Sequence, residues 1–500
     1  MSLAVVLSRA EVGIDAPPVA VEVHLSGGLP CFSIVGLPEA VVKESKDRVR
    51  SAIINSRFDF PRGRITVSLA PADLPKDGGR FDLPIAIGIL AASKQINAGN
   101  VAELEWVGEL ALGGAVRPIK GTLSAVIAAT HQARTMIVPH DNLAEAALVP
   151  TADILGAAHL LETTAYLDGQ HSLSAPVAPP PPTQQAAGVD LADVQGQPFA
   201  KRALEIAAAG GHSLLMLGSP GTGKTMLAMR LPGILPTMSQ AEALENATVQ
   251  SASHRGFDIA TFKQRPFRAP HHSASGAALV GGGSYPRPGE ISLAHRGVLF
   301  LDELPEFDRR VLEQLREPLE SGVIHISRAA RQVEYPARFQ LIAAMNPCPC
   351  GYLGDASREC RCSADQVHRY IARISGPLLD RIDLHVRVPS VPRQALRRTD
   401  INTETTHTVR NRVSAVWQRQ LDRQGALNNT LTGQRLQRFV TLDDACESLI
   451  DRAMEKLNLS ARSYHRILRV ARTIADMDDS DRIESNHVAE AIHLRCLDRR

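Results

Sequence analysis

An eight-residue loop at positions 218–225 constrains the fold of this chain more than any other segment. It spells Gly-Ser-Pro-Gly-Thr-Gly-Lys-Thr and matches the pattern GxxxxGK[ST] in full. Glycines let successive backbone N–H groups converge on phosphate oxygens, the lysine reaches the β and γ phosphates, and the last threonine ligates Mg²⁺ at a helix N-terminus. The pattern therefore predicts a strand, a loop and a helix that bind a nucleoside triphosphate through Gly218, Ser219, Pro220, Gly221, Thr222, Gly223, Lys224 and Thr225.

A second segment supplies the groups that such a loop needs for catalysis. Residues 298–301 are Val-Leu-Phe-Leu, an apolar run typical of a buried parallel strand, and Asp302 and Glu303 follow directly. We expect Asp302 to complete the Mg²⁺ shell with Thr225, and Glu303 to polarise the attacking water. The alternative is a Gly/Ser turn before an unrelated helix, which leaves the Asp-Glu pair unexplained.

Length and charge set broader limits. A chain of 500 residues holds about two to four domains with sizeable cores. Residues 1–172 carry 14 basic and 18 acidic side chains, whereas residues 173–500 carry 41 and 35, so a polyanion would meet the second part. No apolar run reaches the ~18 residues that span a bilayer, and residues 1–7 lack a basic region and a cleavage site. These features predict a soluble cytoplasmic protein with no membrane partner.

A proline-rich segment divides the chain. Within a linker assigned to residues 173–189, positions 179–182 are four consecutive prolines, and the composition is that of a semi-rigid spacer. Strand and helix patterns before it predict an α+β domain over residues 1–172. After it, alternating patterns predict an α/β core with a doubly wound parallel sheet over 190–390, and residues 391–500 turn helical. One buried helix face is expected from the spacing of Ile467, Val470, Ala471 and Ile474.

Three further segments resemble one protein family. They are residues 289–297 (GEISLAHRG), 344–351 (AMNPCPCG) and 378–383 (LLDRID). These motifs are similar to those of the magnesium-chelatase-like AAA+ ATPases, most closely the YifB/ComM branch, and the resemblance covers nearly the whole chain. It implies an AAA+ P-loop core with a C-terminal helical lid, and ATP and Mg²⁺ as ligands. It also implies a homo-oligomer, a hexamer, that acts as a DNA helicase.

In this branch the helicase promotes branch migration during natural transformation and recombination, so DNA and recombination or DNA-uptake proteins are the implied partners. Two other functions stay open. One is a chelatase-type ATPase that inserts a metal into a macrocycle, and the other is a protein-remodelling or scaffold ATPase. DNA-stimulated hydrolysis would favour the motor, and porphyrin-dependent turnover would favour the chelatase.

The resemblance assigns three more residues to the catalytic site. It implies that Asn346 is sensor 1, which orients water against the γ-phosphate, and that Arg462 is sensor 2 at the start of a lid helix. It implies that Arg381 is the arginine finger delivered to a neighbouring subunit's nucleotide. Simpler interpretations are a turn before proline for Asn346, and a local ion pair of Arg381 with Asp380 or Asp383.

Four of the seven cysteines lie in the loop 346–363 as two Cys-x-Cys pairs: Cys348, Cys350, Cys360 and Cys362. Four thiolates on one loop can close a tetrahedral zinc site that is stable in a reducing cytosol. The one-residue spacing is shorter than usual, so strain or reversible thiol chemistry stays an alternative. Cys31, Cys446 and Cys496 are expected to be ordinary packed thiols. We expect His271 and His272 to pack or hydrogen bond rather than share a metal.

Two segments are candidate DNA contacts. Residues 322–327 and 332–335 have the composition of strands around a tip that carries Arg328 and Arg331, and related ATPases carry a pore hairpin at this position. We expect a second segment to be a flexible basic loop that tracks a strand through Arg265, Arg268, Tyr285 and Arg287. The alternative for either segment is a solvated surface loop.

The N-terminal domain resembles the Lon-protease-like fold, of the ribosomal S5 domain 2-like class, through residues 77–80 (DGGR) and 108–121. Lon-type proteolysis needs a serine activated by a lysine. The resemblance puts Arg80 at the serine position and Leu123 at the lysine position, so we expect no peptidase activity and a role in DNA contact or ring assembly. Arg80 paired with Asp77 or Asp82 is the structural alternative.

Overall fold

A computed structural model gives the architecture of the chain. It describes residues 2–36, 39–74, 76, 78–176, 189–253, 256–283, 286–328, 331–355, 358–391, 403–457, 459–495 and 497. These residues form two compact units, one from the described parts of 1–183 and 243–262, the other from those of 184–242 and 263–500. The sequence did not indicate that residues 243–262 belong with the first unit. Most of the predicted linker, 177–188, lies outside the described residues.

A seven-stranded mixed sheet organises the first unit. The strands of this unit are β1 (Ser2–Arg9), β2 (Pro18–Ser26), β3 (Cys31–Val35), β4 (Arg64–Ala70), β5 (Leu104–Trp106), β6 (Glu109–Leu110), β7 (Val116–Arg117), β8 (Thr135–Pro139) and β9 (Ile154–Ala157). The order in the sheet is β3-β4-β2-β1-β5-β8-β9, and β6 pairs with β7 apart from it. β2 is antiparallel to β1 and β4, whereas β5, β8 and β9 continue the sheet in parallel. The helices are Glu39–Asn55, Asp82–Ala92, Thr122–His131, Leu143–Ala146 and Leu160–Leu167.

Burial explains why this sheet forms. In β2, Val19, Val21 and Val23 are fully buried and alternate with more exposed residues, the period of two expected of a strand with one covered face. The helix Asp82–Ala92 is buried along its whole length. A Cβ at Gly88 would lie 2.5 Å from Val23 Cγ2, so the helix can approach the sheet only because this residue is glycine.

Arg80 is buried, and its contacts correct one half of the structural alternative given above, the pairing with Asp82. Its Nη2 donates to Glu11 Oε2 at 2.5 Å rather than to Asp82. Asp82 instead accepts from Arg48 Nε at 2.6 Å. Asp77, the other expected partner, lies outside the described residues, so a pairing with it stays a prediction. The position assigned to the Lon nucleophile is filled by a buried arginine that is ion-paired with the half-buried Glu11.

A five-stranded parallel sheet organises the second unit. The strands of this unit are β10 (Leu214–Leu217), β11 (Phe267–Arg268), β12 (Gly281–Gly282), β13 (Arg287–Pro288), β14 (Val298–Leu301), β15 (Val323–Arg328), β16 (Arg331–Pro336), β17 (Gln340–Met345) and β18 (Leu384–Arg387). The order in the sheet is β11-β14-β17-β10-β18, with all neighbours parallel. Every residue of β10, β14 and β17 is buried, as expected of strands covered on both faces. The sheet agrees with the α/β fold predicted for this region.

The second unit also contains α-helices. They are Pro198–Gly210, Lys224–Ile234, Gly276–Val280, Glu290–Leu293, Arg309–Glu313, Pro318–Ser321, Ala364–Ile371, Gly376–Leu379, Thr406–Gln424, Gly433–Phe439, Asp444–Leu457, Ala461–Met477 and Ser485–His493, and Gln240–Ser251 crosses the boundary at residue 243. The face predicted from Ile467, Val470, Ala471 and Ile474 is confirmed, since each is at most 1% exposed. Among the described residues we find no helix with the length and apolar character that crossing a membrane requires.

Candidate nucleotide-binding site

The predicted phosphate loop connects β10 to the helix Lys224–Ile234 at the carboxyl end of the parallel sheet. Gly221 and Gly223 have φ angles of 77° and 92°, a region that side chains with a Cβ rarely adopt. A Cβ added at either position would meet no described atom within 4 Å. The backbone of the loop therefore borders open space at a helix N-terminus, where an anion can reach its N–H groups.

Lys224 is buried beside this loop. Its Nζ donates to the carbonyl oxygens of Gly218 at 2.6 Å and Ser219 at 3.0 Å, and to Oδ1 of Asn346 at 3.3 Å. Burial lowers the pKa of Lys224, and the two carboxylates after β14 partly oppose that shift. All three acceptors are neutral, so a phosphate oxygen would be a stronger partner for the ammonium group.

Thr225 and Asp302 meet at the start of the same helix. Thr225 Oγ1 donates to Asp302 Oδ2 at 2.7 Å, and Asp302 Oδ1 accepts from the backbone N–H of Glu303 at 2.9 Å. A hydroxyl and a carboxylate thus converge on one point, and oxygen ligands of this kind fit Mg²⁺. The sequence separates these two residues, and the structure brings them together.

Glu303 has a backbone conformation that is uncommon for a residue with a Cβ. Its φ is 51°, and strain of this kind clusters at functional sites. The side chain is 54% exposed, and its Oε2 lies 3.4 Å from Nδ1 of His272. The His272 ring contacts the His271 ring in a tilted arrangement with centroids 4.1 Å apart and meets Phe307 edge-on. Sequence analysis did not connect His272 with Glu303, because they meet only once β11 pairs with β14.

Asn346 follows β17 and has neighbours on two sides. Its side chain accepts from Lys224, and its backbone N–H lies near enough to the Tyr370 hydroxyl to act on the pKa of that group. Burial, together with the Glu306 carboxylate, raises the pKa of Tyr370 to about 12. Arg373, just after Tyr370, pairs with Glu306 at 2.9 Å. Tyr370 was not identified from the sequence, since a single tyrosine in an amphipathic helix carries no signal of this contact.

The four cysteines of the loop 346–363 form one cluster, with all four Sγ atoms within 4.8 Å of one another. The Sγ atom of Cys348 lies 3.3 Å from that of Cys350 and 3.7 Å from that of Cys360. A tetrahedral zinc with bonds of ~2.3 Å separates its sulfurs by ~3.8 Å. Backbone N–H groups of Tyr352 and Arg361 lower the pKa of Cys350 to about 6. The neighbouring sulfurs raise the pKa of Cys360 and Cys362, because a second thiolate this close to the first would be repelled. A cation among the four sulfurs would remove that repulsion, so the donor set fits zinc.

The other cysteines differ from one another. Cys446 is buried, as expected, whereas the expectation of a packed thiol is wrong for Cys31, which is exposed at the start of β3. Cys496 lies outside the described residues.

Arg381 lies at the opposite end of the sheet from the phosphate loop. Its carbonyl accepts from Ser213 Oγ at 3.1 Å, and Ser213 precedes the four-residue strand β10, whereas the loop follows it. A strand of that length is about 13 Å long. The guanidinium is buried and its Nη2 lies 2.5 Å from Glu320 Oε1, so the expected local partners Asp380 and Asp383 are corrected to Glu320.

Arg462 also lies at the amino-terminal end of the parallel sheet. It is exposed in the first turn of the helix Ala461–Met477. The next residue, Ser463, accepts from Arg495, which donates to the carbonyl of Asp383 just before β18. Neither arginine is therefore beside the phosphate loop of its own chain.

The second candidate DNA segment, which begins at Arg265, has arginines with partners inside the protein, which the sequence did not indicate. Arg265 is buried, donates to the Pro236 carbonyl at 2.6 Å, and stacks over Trp417 at 5.0 Å. Arg268 forms a bidentate pair with Glu290 at 2.6 and 2.7 Å. The expectation of a flexible basic loop is wrong for these two residues, because internal partners hold their charges. Tyr285 lies outside the described residues, and Arg287 lies in β13.

The predicted hairpin is present. β15 and β16 are antiparallel, with Arg328 opposite Arg331, and the tip residues 329 and 330 lie outside the described part of the chain. Tyr335 in β16 donates its hydroxyl to the Pro286 carbonyl at 3.0 Å. A Cβ at Gly281 would lie 2.7 Å from Ile326 Cδ1. The hairpin therefore packs against the β12–β13 segment.

Comparison with known families agrees with this architecture. Residues 190–396 match the family described as magnesium chelatase, subunit ChlI, residues 21–142 match subunit ChlI of Mg-chelatase, and residues 403–495 match the magnesium chelatase ChlI C-terminal model. These matches span both compact units and include the phosphate loop.

Individual relatives are more specific. Competence protein ComM of Haemophilus influenzae is 52% identical over 99% of this chain and 98% of its own length. The protein YifB of Escherichia coli is 51% identical over 100% of this chain and 98% of its own length. The magnesium-chelatase 38 kDa subunit of Chlorobaculum tepidum is 24% identical over 57% of this chain and 72% of its own. Since the higher identities run from end to end, the chain belongs to the ComM/YifB family of magnesium-chelatase-like AAA+ ATPases.

Proposed function

We propose that this protein is an ATP-driven, hexameric DNA helicase that promotes branch migration during natural transformation and recombination. One observation carries the proposal. The hairpin formed by β15 and β16 is inserted in the chain between β14, which is followed by Asp302 and Glu303, and β17, which is followed by Asn346. A projection that joins two catalytic strands can turn nucleotide state into movement.

The residues at the phosphate loop support hydrolysis of ATP. Bound Mg²⁺, held by Thr225 and Asp302, would neutralise charge on the β and γ phosphates. Lys224 exchanges its neutral backbone acceptors for phosphate oxygens and so offers a fixed positive charge. Glu303 orients and polarises the attacking water, and Asn346, held by Lys224, fixes that water relative to the γ-phosphate.

The two remaining arginines fit a site completed by a second subunit. Arg381 and Arg462 both belong to the amino-terminal end of the sheet, so we propose that each serves the nucleotide of a neighbouring copy. Glu320 holds Arg381 in place until a phosphate competes for it. A hexameric ring of such contacts makes hydrolysis depend on assembly.

DNA is the proposed track. Arg328 and Arg331 flank a two-residue tip and would contact backbone phosphates, with Arg287 and Tyr285 in the adjoining segment. The relative from Haemophilus influenzae is named for competence, a process of DNA uptake, and this supports recombination and DNA-uptake proteins as further partners. A cytoplasmic location follows from that role.

Two structural features complete the proposal. The cluster of Cys348, Cys350, Cys360 and Cys362 holds one zinc ion. The first unit has a Lon-protease-like fold without peptidase activity, because the buried Arg80, paired with Glu11, occupies the nucleophile position and the buried apolar Leu123 occupies the lysine position.

One assay tests the proposal against its alternatives. Phosphate release is measured with no ligand, single-stranded DNA, forked DNA, a porphyrin with Mg²⁺, and an unfolded protein. The helicase assignment predicts stimulation by DNA, strongest on forked DNA, together with strand separation. Stimulation only by porphyrin would establish the chelatase alternative, and stimulation only by protein would establish remodelling.

A further inference from the structure

The four-cysteine loop touches the phosphate loop as well as the strand that ends at Asn346. Cys348 lies two residues after Asn346 and is fully buried. Gly351, inside the loop, has a φ of 85°, and a Cβ there would lie 2.7 Å from Pro220 Cδ and 3.8 Å from Asn346 Cγ. The turn between the first two cysteines and the rest of the loop is therefore wedged against the nucleotide site.

The other end of the loop returns to the same place. Ser363, directly after Cys362, caps the helix Ala364–Ile371 through a capping box with Gln366. That helix brings the Tyr370 hydroxyl to the backbone N–H of Asn346. Both ends of the cysteine loop therefore lie near Asn346, and the cysteine cluster links the two ends.

Apart from the sulfurs, the described part of this loop is held by short-range contacts, such as the hydrogen bond from Arg358 to the Tyr352 hydroxyl at 3.0 Å. The described residues between Asn346 and Ser363 contain no helix or strand. A loop without its own ladder of hydrogen bonds gains its folding free energy from the metal, when the metal ligands are its main crosslink. A change in the metal therefore reaches Pro220 and Asn346 directly.

We propose that the four-cysteine loop is a metal-dependent brace, so that zinc occupancy sets how well Asn346 and the phosphate loop are placed for hydrolysis. This rests on the ATPase activity and zinc site proposed above. Tyr370 is the positioning residue that carries the brace from the helix to Asn346. The four cysteines would hold the zinc, and its effect on hydrolysis would pass through the protein contacts at Gly351.

The test follows the metal and the nucleotide separately. Wild-type protein, Cys360→Ser/Cys362→Ser and the control Cys31→Ser, whose thiol is exposed and outside the cluster, are purified without chelator under reducing conditions. Metal per chain, affinity for a fluorescent ATP analogue, and kcat for phosphate release are then measured. The double variant should lose its zinc, and its kcat should fall by about ten- to a hundredfold. Cys31→Ser should keep the zinc and the wild-type kcat. Zinc returned to chelated wild-type protein should restore kcat.

Two further variants break the brace but leave the ligands intact. Tyr370→Phe removes the hydroxyl near the Asn346 backbone N–H, and Gly351→Ala forces the turn away from Pro220. Both should retain zinc and lower kcat several-fold, with a smaller change in KM. Wild-type kcat and nucleotide affinity in metal-free protein would overturn the brace, as would absence of zinc from wild-type protein. If zinc is bound but no ATP is hydrolysed under any condition, the ATPase proposal fails. The brace is then tested by nucleotide affinity alone, and an affinity that is unchanged after metal removal would refute it.

Discussion

The two ends of the parallel sheet use charge in opposite ways. At the carboxyl ends, Lys224 donates to neutral oxygens, and Glu303 is 54% exposed with an imidazole as its nearest partner. At the amino ends, Asp383 is buried and ion-paired with Arg466, and its Oδ2 accepts from Ser213 N–H at 2.9 Å. Burial alone would raise the pKa of Asp383, but these partners keep it well below its usual range. Charges with strong internal partners stabilise a fold, whereas weakly partnered charges are available to a ligand.

Substitutions at the carboxyl end should have the largest effect on activity. Lys224→Ala should abolish nucleotide binding, because the backbone carbonyls that hold the ammonium cannot bind phosphate in its place. Glu303→Gln should bind ATP normally but slow hydrolysis by about 10²- to 10⁴-fold, since it removes the base and leaves the shape. Equilibrium binding of a fluorescent analogue and phosphate release measure the two effects. Equal rates for wild type and Glu303→Gln would remove the catalytic assignment.

Substitution at the amino end should act on stability instead. Asp383→Asn leaves the Arg466 guanidinium without its anion in a buried site, which should cost about 3–5 kcal/mol in the free energy of unfolding. Asp302→Asn is the matched control at the other end, and it should lower hydrolysis with little loss of stability. Denaturant titration of both variants, with phosphate release per folded chain, separates the two outcomes. If Asp302→Asn is the more destabilised, the contrast between the ends is wrong.

The same carboxylate gives a pH dependence with a definite sign. The pKa of Asp383 is lower in the folded protein than the ~4 of an unfolded aspartate. Its stabilisation is therefore complete above about pH 4 and is lost as the pH falls below that value toward the folded pKa. Wild-type protein should lose stability over this acidic range by more than Asp383→Asn does. Parallel loss in both proteins would assign acid unfolding to other carboxylates.

The hairpin should have a smaller effect, confined to DNA. Arg328→Ala with Arg331→Ala should remove stimulation by forked DNA and reduce the salt slope of DNA binding by about one to two per engaged subunit, as loss of phosphate contacts does. Arg265→Ala is the matched control, because its charge is held internally, and it should reduce stability while preserving the salt slope. The reverse result would transfer DNA binding to the second segment.

Patterns that are local in sequence predicted the local structure of the site. The phosphate loop, the strand before Asp302, the presence of the hairpin and the clustering of the four cysteines all follow from residues within a few positions of one another. The register of the hairpin does not, since Arg328 and Arg331, expected in the tip, are paired in the strands. Arg265 shows where this approach ends: a basic residue in a glycine-containing stretch has the sequence signature of a surface loop, yet Trp417 and the Pro236 carbonyl bury it. Partners from distant segments decide such cases, as Glu320 does for Arg381.

The smallest effect is expected for the contact between His272 and the catalytic Glu303, two residues that are distant in the sequence. His272 and Glu303 are 35% and 54% exposed and 3.4 Å apart, and exposed pairs of this kind contribute about 0–1 kcal/mol. His272→Ala should therefore lower kcat by no more than about fivefold, because the Glu303 carboxylate loses one of the groups that fix its direction while the phosphate loop is unchanged. His271→Ala, which removes only the neighbouring ring, is the control and should change kcat less, as measured by phosphate release under saturating ATP. A higher kcat for His272→Ala would mean that the imidazole holds the Glu303 carboxylate away from the attacking water. The weakly partnered charges at this end of the sheet would then be restrained before the nucleotide binds, instead of being available to it.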